Sequence, residues 1–349
     1  MRACLIGCGG ISKCHLNAIE QLGKDAVELT AVADIIEQRA EKTASEHSCR
    51  AYTDYEEMLR EEKPDVVHIC TPHYLHVPMA VNALSQNINV VLEKPCAISV
   101  DGIKELTAAE KASSARLAVC FQNRYNESAI FAKKLIDSGE YGKVTGADAL
   151  VKWQRDESYY NADEWRGTKS QEGGGVMINQ AIHTHDLMKY IAGKKTYSVE
   201  GKVGNFHLKN TIEVEDNASV FFEFTDGTRG VYYATTASAS STNPIIDIHL
   251  EKATLRIEGD YVFEIHGDKM KMIYSGCDDT GKVGKIEWGS GHLKLIKDFY
   301  SCINTGKSFM IDSVAASESV ADLLAVYESS LKGEKVIIEN FLKGRKICR

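Results

Sequence analysis

The chain lacks any apolar run long enough to cross a bilayer, so no membrane-spanning helix and no membrane partner are expected. It lacks a surplus of positive charge. Lys and Arg number 41 against 49 Asp and Glu, a formal net charge of −8, which argues against a nucleic-acid or other polyanion partner. It also lacks C-x-x-C pairs: its 10 cysteines are scattered, and no Cys/His group has zinc-site spacing, so no metal centre is expected. The thiols read as reduced, in a cytoplasmic protein, with Cys96 and Cys120 near the core of the first domain. A strand signal starts at Arg2, so no secretory leader is expected ahead of it. Internal repeats and low-complexity segments are absent. At 349 residues the chain is long for one core and suits two domains.

What is present begins at Leu5-Ile6-Gly7-Cys8-Gly9-Gly10-Ile11-Ser12. An apolar opening runs into clustered glycines, and these run into a helix-period pattern marked by Ile11, Leu16, Ile19 and Leu22. Strand, tight turn and helix form the layout of a dinucleotide site. Gly7 lets the chain turn, Gly9 and Gly10 let backbone N–H groups approach a pyrophosphate, and the helix start at Ile11 and Ser12 offers its positive end to that anion. Ser12 occupies the third position of the G-x-G-x-x-G pattern, where Gly or Ala is usual. A glycine cluster alone also fits a plain turn. The second apolar run, Val27–Ala33, ends at Asp34, which suits the ribose hydroxyls of the adenosine or, alternatively, a helix cap. A carboxylate there repels a 2′-phosphate, so NAD is expected over NADP, with Arg39 leaving some room for the latter.

Strand and helix signals then alternate to Leu117–Cys120, which implies a doubly wound parallel sheet over residues 1–122. Ligands of such sheets sit beyond the carboxyl ends of the strands. That rule singles out Thr71-Pro72-His73-Tyr74-Leu75-His76 and Glu93-Lys94-Pro95. In the first loop, Thr71, Pro72 and His76 are expected beside the nicotinamide; His73 and His76 read as cofactor contacts or backbone caps rather than as bases. In the second, Pro95 pushes Lys94 out of helical geometry and admits a cis bond. Lys94 is then either a solvated lysine or an ammonium that lowers the pKa of a substrate hydroxyl, with Glu93 orienting it.

From about residue 123 the pattern changes to a helix, Glu127–Asp137, and then to strands, with a hairpin turn at Asp226-Gly227 and Val220, Phe222 and Phe224 alternating onto one face. Helices at His292–Asn304 and Val314–Lys332 are expected to close this α+β domain, 123–349. Its segment Glu172–Asp186 contains Gly173–Gly175 followed by helical spacing, which places Asn179 and His183 on one face. Asp186 can orient the imidazole or a backbone group; His185 reads as packed or solvated. Trp153, Tyr159, Tyr160, Trp165 and Arg166 suit a sugar ring or, equally, a core. Arg124 suits a substrate group or an ion pair.

These motifs together resemble the Gfo/Idh/MocA family, named for glucose–fructose oxidoreductase and inositol 2-dehydrogenase. The resemblance rests on the glycine turn, Thr71-Pro72 with His76, Glu93-Lys94-Pro95, Asn123-Arg124-Tyr125-Asn126, Tyr141-Gly142-Lys143-Val144 and Glu172–Asp186, and it spans the chain. It implies catalysis by Lys94 and His183. Beside these two, the residues themselves are read as cofactor contacts from the glycine turn, Asp34, Thr71, Pro72, His76, Glu93, Lys94 and Asn123, and as substrate contacts from Lys94, Arg124, Trp153, Trp165, Asn179 and His183. The resemblance implies a large, mostly antiparallel open sheet in the second domain, with a homodimer or homotetramer formed through it. Many family dehydrogenases carry aspartate four residues before the histidine; this chain has Asn179, which can position a hydroxyl but cannot take its proton. The expected activity is NAD-dependent oxidation of a secondary alcohol on a sugar, sugar derivative or cyclitol. The alternatives are a redox-neutral enzyme with tightly held NAD working through a keto-sugar, and a non-catalytic sugar- or nucleotide-sensing regulator.

Overall fold

The computed structural model describes residues 1–276 and 291–344. Cys277 and Cys348, read above as reduced thiols, lie outside them. The described chain divides into two compact units, one holding residues 1–97, 101–122 and 291–317, the other 98–100, 123–276 and 318–344.

The first unit opens with β1 (Arg2–Ile6), α1 (Ser12–Leu22), β2 (Glu28–Ala33), α2 (Glu37–His47), β3 (Arg50–Tyr52) and α3 (Tyr55–Glu62). It continues through β4 (Val66–Ile69), α4 (His76–Ser85), β5 (Asn89–Leu92), α5 (Val100–Ala112) and β6 (Leu117–Val119). Its six strands are parallel in the order β3-β2-β1-β4-β5-β6. The continuous apolar runs of β1, β4 and β5 explain this, because strands covered by helices on both faces have no polar side to show. Leu5, Leu16, Val32, Ala44 and Cys70 form one core cluster between sheet and helices. The strand order reverses between β1 and β4, and the loop after each of β1, β4 and β5 leaves from the same carboxyl edge.

The second unit begins with α6 (Glu127–Asp137), β7 (Val144–Lys152), α7 (Glu157–Asn161) and α8 (Ile182–Ala192). The strands β8 (Thr196–Gly204), β9 (Asn217–Phe224), β10 (Arg229–Thr235), β11 (Ile245–Leu250), β12 (Thr254–Glu258), β13 (Tyr261–His266) and β14 (Lys269–Ser275) follow. Together with a short β15 (Val336–Ile337) they make one sheet, β14-β13-β12-β11-β7-β10-β9-β8-β15. All neighbours are antiparallel except β7 and β10. Val220, Phe222 and Phe224 are buried, whereas Phe221 is 63% and the facing Val231 46% exposed. One face of the sheet therefore carries the core, and α8 lies on it: His185 stacks on Phe222 at 4.9 Å, and the Tyr232 hydroxyl donates to the Ala181 carbonyl at 2.6 Å.

Two expectations need correction. The helix expected at His292–Asn304, here α9 (Gly291–Thr305), packs in the first unit rather than closing the second. Its polar residues find partners there: His292 meets Glu93 at 3.2 Å and Tyr300 meets His68 at 2.9 Å. The segment after Gly175 is not one straight helix. Val176–Gln180 makes a wide turn in which the Ala181 N–H reaches back five residues to Val176 at 2.7 Å, and α8 starts after Ala181. The remaining helix α10 spans Ser313–Lys332, and a final α11 spans Ile338–Leu342.

Candidate functional site

The glycine turn after β1 is built for close approach from two sides. Gly7 has φ +91°, and a methyl there would lie 2.7 Å from the Cys70 carbonyl oxygen, so the turn and the β4 edge require glycine. At Gly9 and Gly10 a methyl would meet no atom of the described residues within 4 Å. Packing does not explain glycine at these two positions, and the backbone there is open to approach. Ile11, which precedes α1, supplies no side-chain cap to the first turn, so the helix start keeps donors for an anion. Ser12 is buried and donates to the Gly9 carbonyl at 2.6 Å. Its hydroxyl therefore staples the turn instead of reaching outward, which accounts for serine at the third motif position.

Asp34, at the end of β2, accepts from the Cys8 N–H at 2.8 Å and the Ile36 N–H at 2.9 Å. The carboxylate thus ties the glycine turn to the end of β2; it does not cap α2, whose first residue is Glu37 and whose N-cap, Ile36, carries no side-chain cap. In the loop after β4 the Thr71 hydroxyl oxygen is buried with no hydrogen-bond partner among the described residues. His76 is fully buried, with Nδ1 2.8 Å from the Pro95 carbonyl and Nε2 2.9 Å from the Thr71 carbonyl. Burial pushes its pKa down, so the neutral ring donates to one of these two carbonyls and packs against the other, between the loops after β4 and β5. The loop after β5 carries the cis Lys94–Pro95 bond. Lys94 is half-buried.

Glu93, at the end of β5, is tied to the backbone of Lys94 and to two histidines. It is buried, with Oε2 3.2 Å from the Lys94 N–H and Oε1 3.1 Å from His15 Nε2 and 3.2 Å from His292 Nε2. His15 Nδ1 lies 2.9 Å from His68 Nδ1, and His68 Nε2 lies 2.9 Å from the Tyr300 hydroxyl. Burial opposes the Glu93 charge, but hydrogen bonds from His15 and His292 hold its carboxyl well below the usual range. Burial pushes His15 down and His68 well down, which keeps both rings neutral. One proton assignment then satisfies every link: the Tyr300 hydroxyl donates to His68, His68 to His15, and His15 to Glu93. Cys120 Sγ sits 4.0 Å from His15 Nε2, so His15, Glu93 and Cys120 form a cluster of metal-ligand type among the described residues. Its members are too far apart in sequence for spacing to have revealed it.

In the second unit the three glycines are fixed by the chain's own packing. A methyl at Gly173 would strike Ile98, one at Gly174 would lie 2.1 Å from the Tyr327 hydroxyl, and one at Gly175 would lie 1.9 Å from the Glu215 carbonyl oxygen. Buried Glu215 accepts from the Gly175 N–H at 2.8 Å, the Met177 N–H at 3.0 Å and the Tyr327 hydroxyl at 2.8 Å. This clamp starts the wide turn that presents Asn179. His183 follows in the first turn of α8 and is half-buried, whereas His185 is fully buried against Asp322 at 3.1 Å. The wide turn means that a spacing of four no longer fixes a shared face for Asn179 and His183.

Other expectations resolve differently. Arg124 makes a two-pronged pair with Asp186, at 2.8 and 2.6 Å, over the Tyr190 ring. The ion-pair reading is thus realised, through two of the five guanidinium N–H donors. Asp186 also accepts from Ser319 at 2.8 Å, which commits it to Arg124 and α10. Trp153 is 7% exposed and donates its indole N–H to the Thr242 carbonyl at 3.1 Å, a packed residue rather than a platform. Trp165 is half-buried with Arg166 over its ring at 5.0 Å, and Arg166 also covers Tyr159 at 4.5 Å. The amide oxygen of Asn123 is buried without a hydrogen-bond partner among the described residues.

Comparison with known proteins agrees with this architecture. Residues 1–121 match the model of an oxidoreductase family with an NAD-binding Rossmann fold, and residues 130–256 match the GFO/IDH/MocA C-terminal domain. The chain belongs to the GFO/IDH/MocA oxidoreductase family. Within it, scyllo-inositol 2-dehydrogenase (NAD(+)) of Bacillus subtilis is 24% identical over 97% of this chain and 96% of its own. Inositol 2-dehydrogenase of Salmonella typhimurium is 31% identical over 57% of each chain, and several curated relatives are matched over little more than half their length. Among solved structures, the WlbA dehydrogenase of Bordetella pertussis, in complex with NADH and UDP-GlcNAcA, superposes with a TM-score of 0.85 at 28% identity over 96% of this chain and 98% of that one. A cofactor of this family fits the residues present: Gly9 and Gly10 leave the turn open, α1 lacks a side-chain cap at Ile11, and Thr71 keeps a buried hydroxyl without a partner among the described residues.

Proposed function

We propose that the protein oxidises a secondary alcohol of a cyclitol, sugar or sugar derivative with NAD. The observation that carries this reading is the carboxyl edge of the parallel sheet. There the open glycine turn, the Thr71 loop and Lys94 follow three adjacent strands, β1, β4 and β5. The family relatives named as inositol dehydrogenases, and the WlbA complex with a nucleotide sugar, support the substrate class.

The backbone N–H groups at Gly9, Gly10 and Ile11 hold the pyrophosphate, Asp34 the adenosine ribose, and Thr71, Pro72 and Asn123 the nicotinamide half. The Asp34 charge disfavours a 2′-phosphate, which sets NAD over NADP. NAD, when bound, supplies the hydride acceptor. The Lys94 ammonium stabilises the substrate oxygen as its proton leaves. His183 takes that proton, because histidine titrates in the working range and Asn179 cannot accept a proton. Asn179 instead orients a substrate hydroxyl, with Trp165 at the ring.

The exposed sheet face bearing Phe221 and Val231 is the proposed homo-oligomer surface. Phe221→Lys should convert the assembly to monomer in light scattering; an unchanged mass would place the interface elsewhere. The activity is tested by incubating the enzyme with inositols, sugars and UDP-sugars and either NAD or NADP. NADH formation with at least one member, dependent on Lys94 and His183, is the expected result. Product without NADH would favour internal redox cycling, and no turnover with intact NADH binding would favour a sensor.

A further inference from the structure

The family aspartate replaced by Asn179 has a counterpart seven residues earlier. Glu172 is fully buried, with Oε1 2.5 Å from the Asn179 side-chain nitrogen and Oε2 2.5 Å from the Gly167 N–H. Gly167 stands at φ +73° with Ile212 2.6 Å from where a methyl would be, so the donor to Glu172 is held by packing. Asn179 is in turn 3.4 Å from the Tyr159 hydroxyl, to which Arg166 donates. A carboxylate, an amide, a phenol and a guanidinium thus form one connected polar row.

We propose that Glu172 is the positioning residue for the substrate hydroxyl, acting through Asn179 as the displaced carboxylate of the site. This rests on the dehydrogenase reading above. An ionised Glu172 can only accept, so it faces the amide nitrogen of Asn179 and turns the carbonyl end of the amide away from itself. The charge of Glu172 therefore sets the polarity with which Asn179 meets a hydroxyl. The same contact explains why position 179 is not aspartate. Two carboxyl groups at this distance cannot both ionise, and one proton would be trapped between them.

Burial pushes the Glu172 carboxyl up to about 7, against hydrogen bonds from Gly167 and Asn179 and the charge of Arg166, with the Glu215 carboxylate adding to the rise. Tyr160 and Tyr327 also face this group and stay neutral in that range, both pushed up by burial. Loss of the Glu172 proton on passing neutrality would then lock the amide in its working orientation.

The test uses the full-length enzyme as wild type, Glu172→Gln, Asn179→Asp and the double variant. Each single change is expected to lower kcat/KM about tenfold or more, with NADH affinity unchanged, because an oriented contact is lost. The double variant, which returns the carboxylate to position 179, is expected to be no worse than either single one; losses that multiply would overturn the pairing. Glu172→Gln should also lose the rise of kcat/KM that accompanies ionisation near neutrality, and a profile identical to wild type would contradict the proposal. A readout independent of turnover is ¹³C NMR of labelled Glu carboxyl groups, assigned by Glu172→Gln. Glu172 should titrate near neutrality and move higher in Asn179→Asp; titration in the ordinary carboxyl range would overturn the pair even if no substrate in the panel were oxidised. An enzyme that shows the raised titration yet no turnover would count against the dehydrogenase reading and leave the pair standing.

Discussion

The two glycine-rich segments of this protein look alike in sequence and do opposite work. At Gly9 and Gly10 an added methyl would touch nothing among the described residues. At Gly173, Gly174 and Gly175 it would strike Ile98, Tyr327 and Glu215. The first segment has open space where a side chain would stand, which is what the proposed nucleotide site requires. The second is glycine because the chain packs on itself, and that packing fixes the turn bearing Asn179. A run of glycines therefore does not identify a ligand site; what a Cβ would meet does.

The comparison is broken most severely at Gly175. Gly175→Ala places a methyl 1.9 Å from a backbone oxygen, and relief requires moving Glu215 and its three hydrogen bonds. A loss of about 4 kcal/mol or more, read by denaturant unfolding, is expected. A variant as stable as wild type would show that the second segment tolerates bulk as the first does.

The pH dependence of stability sharpens the contrast, because the packed segment buries a carboxyl beside it. The folded-state pKa of Glu172 is raised from 4.5 to about 7 by burial. Between those values the folded protein keeps a proton that the unfolded chain has lost. Its contribution is therefore full below pH 4.5 and is lost as pH rises through about 7. The stability of wild type relative to Glu172→Gln should fall by of order 3 kcal/mol from pH 4.5 to 8. His15 and His68, lowered by burial, make the opposite slope, losing stability as pH falls below the ordinary histidine range, but they cancel in this difference. A flat difference would contradict the buried ionisation.

Smaller effects are expected in the first segment. Asp34→Ala orphans the Cys8 and Ile36 N–H groups and should cost about 1–2 kcal/mol of stability, with a larger relative loss for NADH than for NADPH binding in calorimetry. Gly10→Ala should change stability by less than about 0.5 kcal/mol, since nothing among the described residues lies near its Cβ. A clear destabilisation would mean that the turn is shaped by its own packing.

Much of the fold was legible because its signals are local. The apolar runs of β1, β4 and β5, the alternation in β9 and the Asp226-Gly227 turn each lie within a few residues. The placement of α9 was not legible, because its reason is His292 meeting Glu93 and Tyr300 meeting His68, residues about 200 apart in sequence. Site residues divide in the same way. Gly7, Asp34 and Lys94 stand at strand ends that periodicity reveals. Arg124 was open to two readings until Asp186 was seen to hold it. Glu172 gave no signal as a single acidic residue before three glycines. Only the fold brings its carboxylate to Asn179, although the asparagine standing in the family's aspartate position was a hint that a partner had to be sought.

The central claim is that the openness of the first glycine turn belongs to a nucleotide. The direct measurement is calorimetric titration of NADH into wild type and Gly9→Ala, with melting of both proteins followed in parallel. The account predicts saturable binding to wild type and at least about tenfold weaker binding to Gly9→Ala, with melting unchanged, because the methyl meets no atom of the described residues yet blocks backbone approach. Equal affinity in the two proteins, or a fall in melting temperature without a fall in affinity, would contradict it.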